Sequence, residues 1–355
     1  MLNSFTILNA MRGIRGKDVF DTQTFLGYME KSKTQNGRGS SARKRPIKRM
    51  LLIAAIIVLI LSLVACAVYL THWSKGLDHQ INATEDEKIA AEESGLSAYP
   101  EGANNENETP SITAGGVTIT AEQTIVDNYF ALIALRIEGY DVPDGSYPDL
   151  GVPMVTIGGE NVHSMGGSFS ESPSDNGTLE YDIAITNDSG PGYFNGKEIS
   201  IVINGLGVGD KGRYTPVIEE TWELKWTLKG SSEIRTVTVG MEIGDTGVVL
   251  VEAELSPISL HLIYKTNGEW EGHETMERFD PMVVGFRLKD GTVKLKTFGF
   301  GGYEGYLNLE NFLYEKLVDT AVIVQPNEVD ALLFSHKNPW AQELTEADIY
   351  TVPLT

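Results

Sequence analysis

The sequence contains a single cysteine, Cys66, among its 355 residues. A disulfide needs two cysteines, and a thiolate zinc site needs several. Residues 67–355 therefore have no disulfide framework, no thiolate metal site and no cysteine nucleophile.

Catalytic motifs are also lacking. The chain has no Gly-x-Ser-x-Gly nucleophile elbow, no glycine-rich phosphate loop and no catalytic Ser/Lys pattern. The six histidines include no His-Glu-x-x-His pattern, and the carboxylates are too numerous to single out a glycosidase pair. We predict that the protein is not an enzyme, and that it has no cofactor and no resident metal.

Two carboxylate-rich stretches leave a metal site as an alternative. Residues 269–274, EWEGHE, hold the densest mixture of histidine and carboxylates, for which we favour a solvated loop between strands. Residues 141–149, DVPDGSYPD, lack the spacing of an EF-hand, so we favour an Asp-Gly turn over a calcium loop.

Residues 50–70, MLLIAAIIVLILSLVACAVYL, contain no charged side chain. A helix of this length rises ~31 Å, about the thickness of the hydrocarbon core of a bilayer. We predict a membrane-spanning helix here. Leu63-Val64-Ala65-Cys66 also fits the pattern at which bacterial lipoproteins are lipidated, but the 49 residues before the span are too long for the start of a signal peptide.

Acidic residues are scarce before the span and abundant after it. Residues 1–49 hold 11 basic and three acidic residues, a net charge of +8. Subtracting these from the whole-chain totals of 28 and 49 leaves 17 basic and 46 acidic residues in 71–355, a net charge of −29. The basic side faces the cytoplasm, which places the acidic region outside the cell. This region lacks the basic surface that nucleic acids require. The predicted membrane-flanking residues are Arg43, Lys44, Arg45, Lys48, Arg49 and Trp73.

The basic tail, residues 1–49, carries apolar side chains near helical spacing. Two short helices of this size cannot bury a core by themselves. We expect them to dock on a cytosolic partner or to lie on the membrane surface. The predicted partner-binding residues are Phe5, Ile7, Leu8, Met11, Phe20, Phe25 and Leu26.

The region after the span is predicted to be mainly β. Thr84 and Glu87 have the spacing of a capping box, so a juxtamembrane helix should begin there and stop at Gly95 within residues 71–110. Apolar runs separated by Gly, Pro, Asp and Asn follow, among them 129–137 and 321–324, with a tight hairpin turn at 289–292. Their spacing predicts two antiparallel, Ig-like β-sandwich domains, residues 111–230 and 231–355.

The arrangement resembles a family of single-pass envelope proteins of Gram-positive bacteria, catalogued as domain of unknown function 4179 and described as anti-sigma-factor-like. The resemblance rests on Lys44-Arg45-Pro46, on the span ending Val64–Val68, and on the 74–100 segment. It also rests on the strand, Ser-Pro break and strand of 251–262 and on the closing unit 325–334. It implies a regulatory role and no catalytic residues. The tail lacks the His/Cys motif of zinc-type anti-sigma factors, so their mechanism is not implied.

Two functions from different classes follow from these patterns. The first is a membrane regulatory protein, N-terminus inside, whose extracellular β domains sense an envelope ligand while the tail binds a cytosolic sigma factor. The alternative is a structural or adhesive envelope protein, of which a lipoprotein is one form, whose tail serves only as an anchor.

Overall fold

The computed structural model describes residues 73–354, apart from 103–108, 144, 170–177, 211–212, 267–281, 309 and 339–340. All described residues belong to one compact unit, Ala67–Thr355. The tail, the predicted span and the 269–274 cluster lie outside the described residues. Within them, no helix combines the length and the apolar character needed to cross a bilayer.

A helical segment, residues 73–96, comes first. It contains α1 (Lys75–Gln80), capped by Ser74, and α2 (Glu85–Glu93). Both bonds of the predicted capping box are present, since Thr84 accepts from the Glu87 amide while the Glu87 carboxylate accepts from the Thr84 amide. The prediction of this helix is confirmed, and Gly95 follows it in the left-handed conformation at φ +75°.

The first β-half covers residues 97–227. Its strands are β1 (Ser97–Ala98), β2 (Ser111–Ala114), β3 (Val117–Val126), β4 (Phe130–Glu138), β5 (Tyr147–Asp149), β6 (Met154–Ile157), β7 (Glu160–Asn161), β8 (Met165–Phe169), β9 (Leu179–Thr186), β10 (Glu198–Asp210) and β11 (Arg213–Thr227). Sheet A has the order β1-β3-β4-β9-β8, with β2 also on β3, and sheet B has the order β11-β10-β6-β7, with β5 also on β10. Both sheets contribute to one core, in which the Trp222 indole of sheet B donates to the Val117 carbonyl of sheet A at 3.1 Å.

The second β-half covers residues 235–353. Its strands are β12 (Arg235–Glu242), β13 (Val249–Ser256), β14 (Ser259–Lys265), β15 (Met282–Leu288), β16 (Val293–Leu295), β17 (Phe298–Asn308), β18 (Leu313–Thr320), β19 (Val329–Ser335) and β20 (Tyr350–Pro353), with 3₁₀ turns at Pro326–Glu328 and Glu346–Asp348. Sheet C has the order β12-β13-β14-β18-β17 and sheet D the order β16-β15-β19-β20. These sheets share a second core. Every strand pair described in either half is antiparallel, which confirms the prediction of a mainly β, antiparallel protein.

Strand β4 is buried on both faces. Alternate side chains of a strand point to opposite faces of its sheet. The odd-numbered residues Ala131–Ile137 belong to the core of the first β-half, whereas the even-numbered residues Phe130–Ala134 belong to a third core. This third core also contains Leu77 and Ala91 of the helical segment and Ile258 and Leu317 of the second β-half. One strand, FALIALRI, in which Arg136 alone is not apolar, therefore packs against three parts of the molecule.

The predicted strand at 321–324 is wrong. These residues are irregular, and the strand lies just before them, at β18. The sequence of β18, LYEKLVDT, has charged residues between its apolar ones. This pattern fits the strand because only three of its eight residues are buried. The hairpin turn predicted at 289–292 is confirmed between β15 and β16, where the Leu288 and Thr292 backbones pair at 2.8 Å.

Candidate functional site

Two hairpin turns meet where the β-halves join. The β3–β4 turn carries Asp127, and the β13–β14 turn is Pro257-Ile258, the Ser-Pro break of the sequence. One carboxylate oxygen of Asp127 accepts from the backbone amides of Tyr129 and Phe130 in its own turn, at 2.9 and 3.0 Å. The other accepts from the Ile258 amide at 3.0 Å and the Ser259 hydroxyl at 2.6 Å. We call this contact the junction.

Burial and hydrogen bonding shift the pKa of the Asp127 carboxyl in opposite directions. Its side chain is only 2 % exposed, and burial raises the pKa of its carboxyl, whereas the four donors favour the carboxylate. Asn128 beside it donates to the Glu233 carbonyl at 2.9 Å and to the Ser256 hydroxyl at 3.0 Å. Asp127 and Asn128, two consecutive residues of one turn, thus form hydrogen bonds with polar groups of the other β-half. Buried polar atoms need such partners because they have lost those that water provides.

A cluster of ionisable groups lies beside this turn. Glu254, His261 and Glu315 come from β13, β14 and β18, so they occupy adjacent strands of sheet C. His261 Nδ1 lies 2.8 Å from Glu254 and its Nε2 lies 2.9 Å from Glu315. The Tyr129 hydroxyl of the first β-half donates to the same Glu254 carboxylate, and its ring centroid lies 5.3 Å from that of His261.

The charges of this cluster favour an imidazolium. Burial lowers the pKa of His261, but hydrogen bonds to Glu254 and Glu315 and the charges of these carboxylates raise it above its ordinary value. The hydrogen bond to His261 lowers the pKa of Glu254, and it outweighs burial. Burial, with the Glu254 charge, raises the pKa of Tyr129, which stays a neutral donor. The cluster therefore favours the protonated ring of His261, in which each of the two N–H groups donates to one carboxylate.

The helical segment is fixed to the first β-half through Gln123 of β3. This glutamine is fully buried, its carbonyl accepts from the Ser74 amide at 2.9 Å, and its amide donates to the Ser97 hydroxyl at 2.9 Å. Ser74 also caps α1 by accepting from the Leu77 amide. One side chain thus sets the position at which α1 begins.

Helix α1 rests directly on two carboxyl groups of β9. The Gly76 amide donates to Glu180 at 2.9 Å, and a Cβ atom at Gly76 would lie 1.8 Å from Asp182 Oδ2. Burial raises the pKa of Asp182 to about 7, and the Glu180 charge adds to the effect. The contact therefore favours the neutral form of Asp182, and a residue with a Cβ atom at position 76 would clash with it.

Trp73, predicted to flank the membrane, is 3 % exposed and belongs to the third core. Lys88 of α2 lies over its ring at 5.9 Å and forms ion pairs with Asp78 of α1 at 2.6 Å and with Glu85 at 3.0 Å. The helical segment also reaches the second β-half, since the Asn82 amide donates to the Ala321 carbonyl at 2.8 Å. The two helices and both β-halves therefore form one connected set of contacts.

The residues of the junction were not predicted from the sequence. A partial signal was present beside the junction, because Glu254 and His261 each lie between two apolar residues of their strands. The predicted flanking residues Arg43–Arg49 and all predicted partner-binding residues lie outside the described residues. Within the described part of the chain, no group of three or more His, Cys, Asp or Glu could hold a metal ion. Asp149 of the second metal candidate accepts from the Gly151 amide at 2.7 Å.

No protein-family model and no curated protein matches the chain. Among solved structures, it is similar to a conserved domain protein from Bacillus anthracis, at 17% identity and a TM-score of 0.43, over 64% of this chain and 75% of that one.

Proposed function

We propose that the protein is an anti-sigma-factor-like membrane regulator of the Gram-positive type. In this proposal residues 50–70 cross the membrane, and two Ig-like β-sandwich domains outside the cell, 111–230 and 231–355, sense an envelope ligand. The tail, residues 1–49, binds a sigma factor in the cytoplasm. The charge contrast of +8 before residues 50–70 against −29 after them supports this orientation.

The observation that carries the proposal is the packing of the helical segment. A passive tether would need few contacts with the domains it anchors, since flexible linkers bury little surface. Here Leu77, Ile81 and Leu96 are at most 1 % exposed, and they share a core with both β-halves. A rearrangement of the β-halves would therefore move the segment that follows residues 50–70 directly.

The tail supplies the test of the regulatory role. Polar replacements at Ile7, Leu8 and Met11 should abolish co-purification of a sigma factor with the full chain and raise transcription of that factor's genes. Neutralising Arg43 to Arg45 is the matched control, and it should leave both unchanged. If the polar variants change neither sigma-factor capture nor transcription, the protein is a structural or adhesive envelope protein instead.

An insertion tests the coupling separately. Six Gly and Ser residues placed between His72 and Trp73 would lengthen the connection and make it flexible. A regulator should then keep its basal capture of the sigma factor but lose the transcriptional response to ligand outside the cell. The same six residues inserted after Ser40 are the control for chain length.

A further inference from the structure

A cleft of about 590 Å³ lies between helix α2 and the second β-half. Glu87 and Ala90 of α2 line one side, while Phe286 and Val324 line the other. Small-molecule sites have volumes of about 300–1,000 Å³ and occur preferentially where domains or segments meet. The cleft has both properties.

The lining of the cleft is part apolar and part polar, and buried apolar side chains form its floor. Leu96, Phe286 and Val324 are each at most 3 % exposed and line it together with Pro257. An apolar lining of this kind binds the hydrocarbon part of a ligand by removing it from water.

The charged residues of the lining are mostly acidic. Among the described residues that line the cleft, the carboxylates are Glu87, Glu233, Asp290 and Glu328, and the one ammonium is that of Lys294. Lys294 Nζ lies 3.4 Å from Glu87 Oε1, so this cation is already matched. Burial raises the pKa of Glu87, but hydrogen bonds from Thr84 and Lys294 lower it below its ordinary value, so Glu87 stays ionised. The remaining carboxylates give the cleft an excess of negative charge.

We propose that this cleft binds an organic cation with an apolar body, of the aryl-alkyl amine class. The apolar body would pack on Leu288 and Ile323, which are partly exposed, and the ammonium group would lie near the carboxylates of Glu233 and Glu328. This inference adds a class of ligand to the proposed function. Binding in the cleft does not depend on that function, and only the regulatory meaning of the binding rests on it. Because α2 forms one side of the cleft, an occupant contacts the helical segment and the second β-half at once, and it stabilises their contact more as its concentration rises above the Kd.

Three probes of one shape separate charge from apolar contact. We would titrate 4-phenylbutylamine, 4-phenylbutan-1-ol and 4-phenylbutyrate into the full chain in lipid nanodiscs by calorimetry, and subtract the heats of empty nanodiscs. The amine should bind saturably, the alcohol about ten times more weakly, and the carboxylate not at all.

Variants place the site. Ala90 is exposed and lines the cleft, so Ala90→Trp should fill it and abolish amine binding while leaving the thermal unfolding transition in place. Glu233→Gln and Glu328→Gln should each weaken amine binding about three- to tenfold. Glu220→Gln, at an exposed position on β11 in the first β-half, is the matched control and should change nothing.

The proposal is overturned if the amine gives no saturable heat above that of empty nanodiscs. It is also overturned if the alcohol binds as tightly as the amine, or if Ala90→Trp and the two glutamine variants bind like the wild type. None of these readouts involves transcription or the tail. A cleft that binds the amine in a protein whose tail captures no sigma factor would refute the proposed function and leave this inference standing.

Discussion

The hydroxyl of Tyr129 donates a hydrogen bond to the carboxylate of Glu254, a residue 125 positions further along the chain. The same carboxylate accepts from His261, so the tyrosine of one β-half completes a charged cluster of the other. Hydrogen bonds are directional, whereas apolar contacts are not. This bond, together with the junction, therefore specifies the angle between the β-halves more strictly than the third core alone would.

Replacing Tyr129 by phenylalanine tests this bond. The variant keeps the ring in the third core and removes one hydrogen bond to a charged group, so we expect the free energy of unfolding to fall by about 1–2 kcal/mol. Heat- or urea-induced unfolding of the purified full chain measures it. Tyr147→Phe, at a side chain that is 79 % exposed, is the control. Equal effects of the two substitutions would show that the bond contributes nothing.

The contact between Gly76 and Asp182 leads to a second prediction. Gly76→Ala places a Cβ atom where the Asp182 carboxyl lies, so α1 must shift, at a cost of about 1–3 kcal/mol. Gly166→Ala, in β8 with open space around it, is the control. Combining Gly76→Ala with Asp182→Ala should recover part of the loss, because the clashing atoms are then gone. If the double variant shows the plain sum of the single effects, the two residues are not in contact.

Local signals predicted part of this fold. The capping box of Thr84 and Glu87 and the Asp-Gly turn at 289–292 depend on residues within one turn, so sequence spacing reveals them. Helix α1 was missed because its six residues are too few to show a helical period. The strand expected at 321–324 lies instead at β18. Its residues are only partly buried, so charged residues stand between the apolar ones and hide the strand pattern.

The junction could not be predicted, since its contacts join residues that are distant in sequence. Asp127 and Ser259 are 132 positions apart, and neither has a local feature that names the other. The apolar run of β4 did carry information, because a strand without alternation is buried on both faces. The run indicated that something packs on the second face of β4. It did not indicate that the helical segment and the second β-half form this packing.

The orientation of the chain is a third prediction, and it depends on the charge contrast across residues 50–70. An enzyme reporter that is active only outside the cytoplasm should be active when fused after Pro110 and silent when fused after Ser40. The reverse pattern would refute the orientation. Replacing Cys66 by serine should leave the protein in the membrane at the mass expected for the single substitution, whereas a further loss of the mass of a lipid would show that Cys66 is lipidated.

Asp182 gives a pH-dependent prediction. Its pKa is raised from 3.8 to about 7, so the unfolded chain loses this proton at lower pH than the folded chain does. The folded state therefore loses stability as the pH rises from about 4 to about 7. Asp182→Asn keeps the neutral shape, so it should match the wild type at pH 4 and exceed its stability by about 1–4 kcal/mol at pH 8. Asp188→Asn, at an exposed position, is the control, and a difference that does not change with pH would contradict the assignment.

His261 should give a pH dependence at higher pH. Its pKa is raised above 6.5 because the folded protein holds the imidazolium between Glu254 and Glu315. These two carboxylates and that of Asp127 also act on the neighbouring Tyr129. The stabilisation is complete below pH 6.5 and is lost as the pH rises through the folded pKa. His261→Gln should therefore cost about 1–3 kcal/mol at pH 6 and progressively less at higher pH, as measured by unfolding of the full chain in nanodiscs. His336→Gln, at an exposed histidine, should change little at any pH. If the cost of His261→Gln is the same at pH 6 and pH 9, the glutamates do not hold a proton on His261.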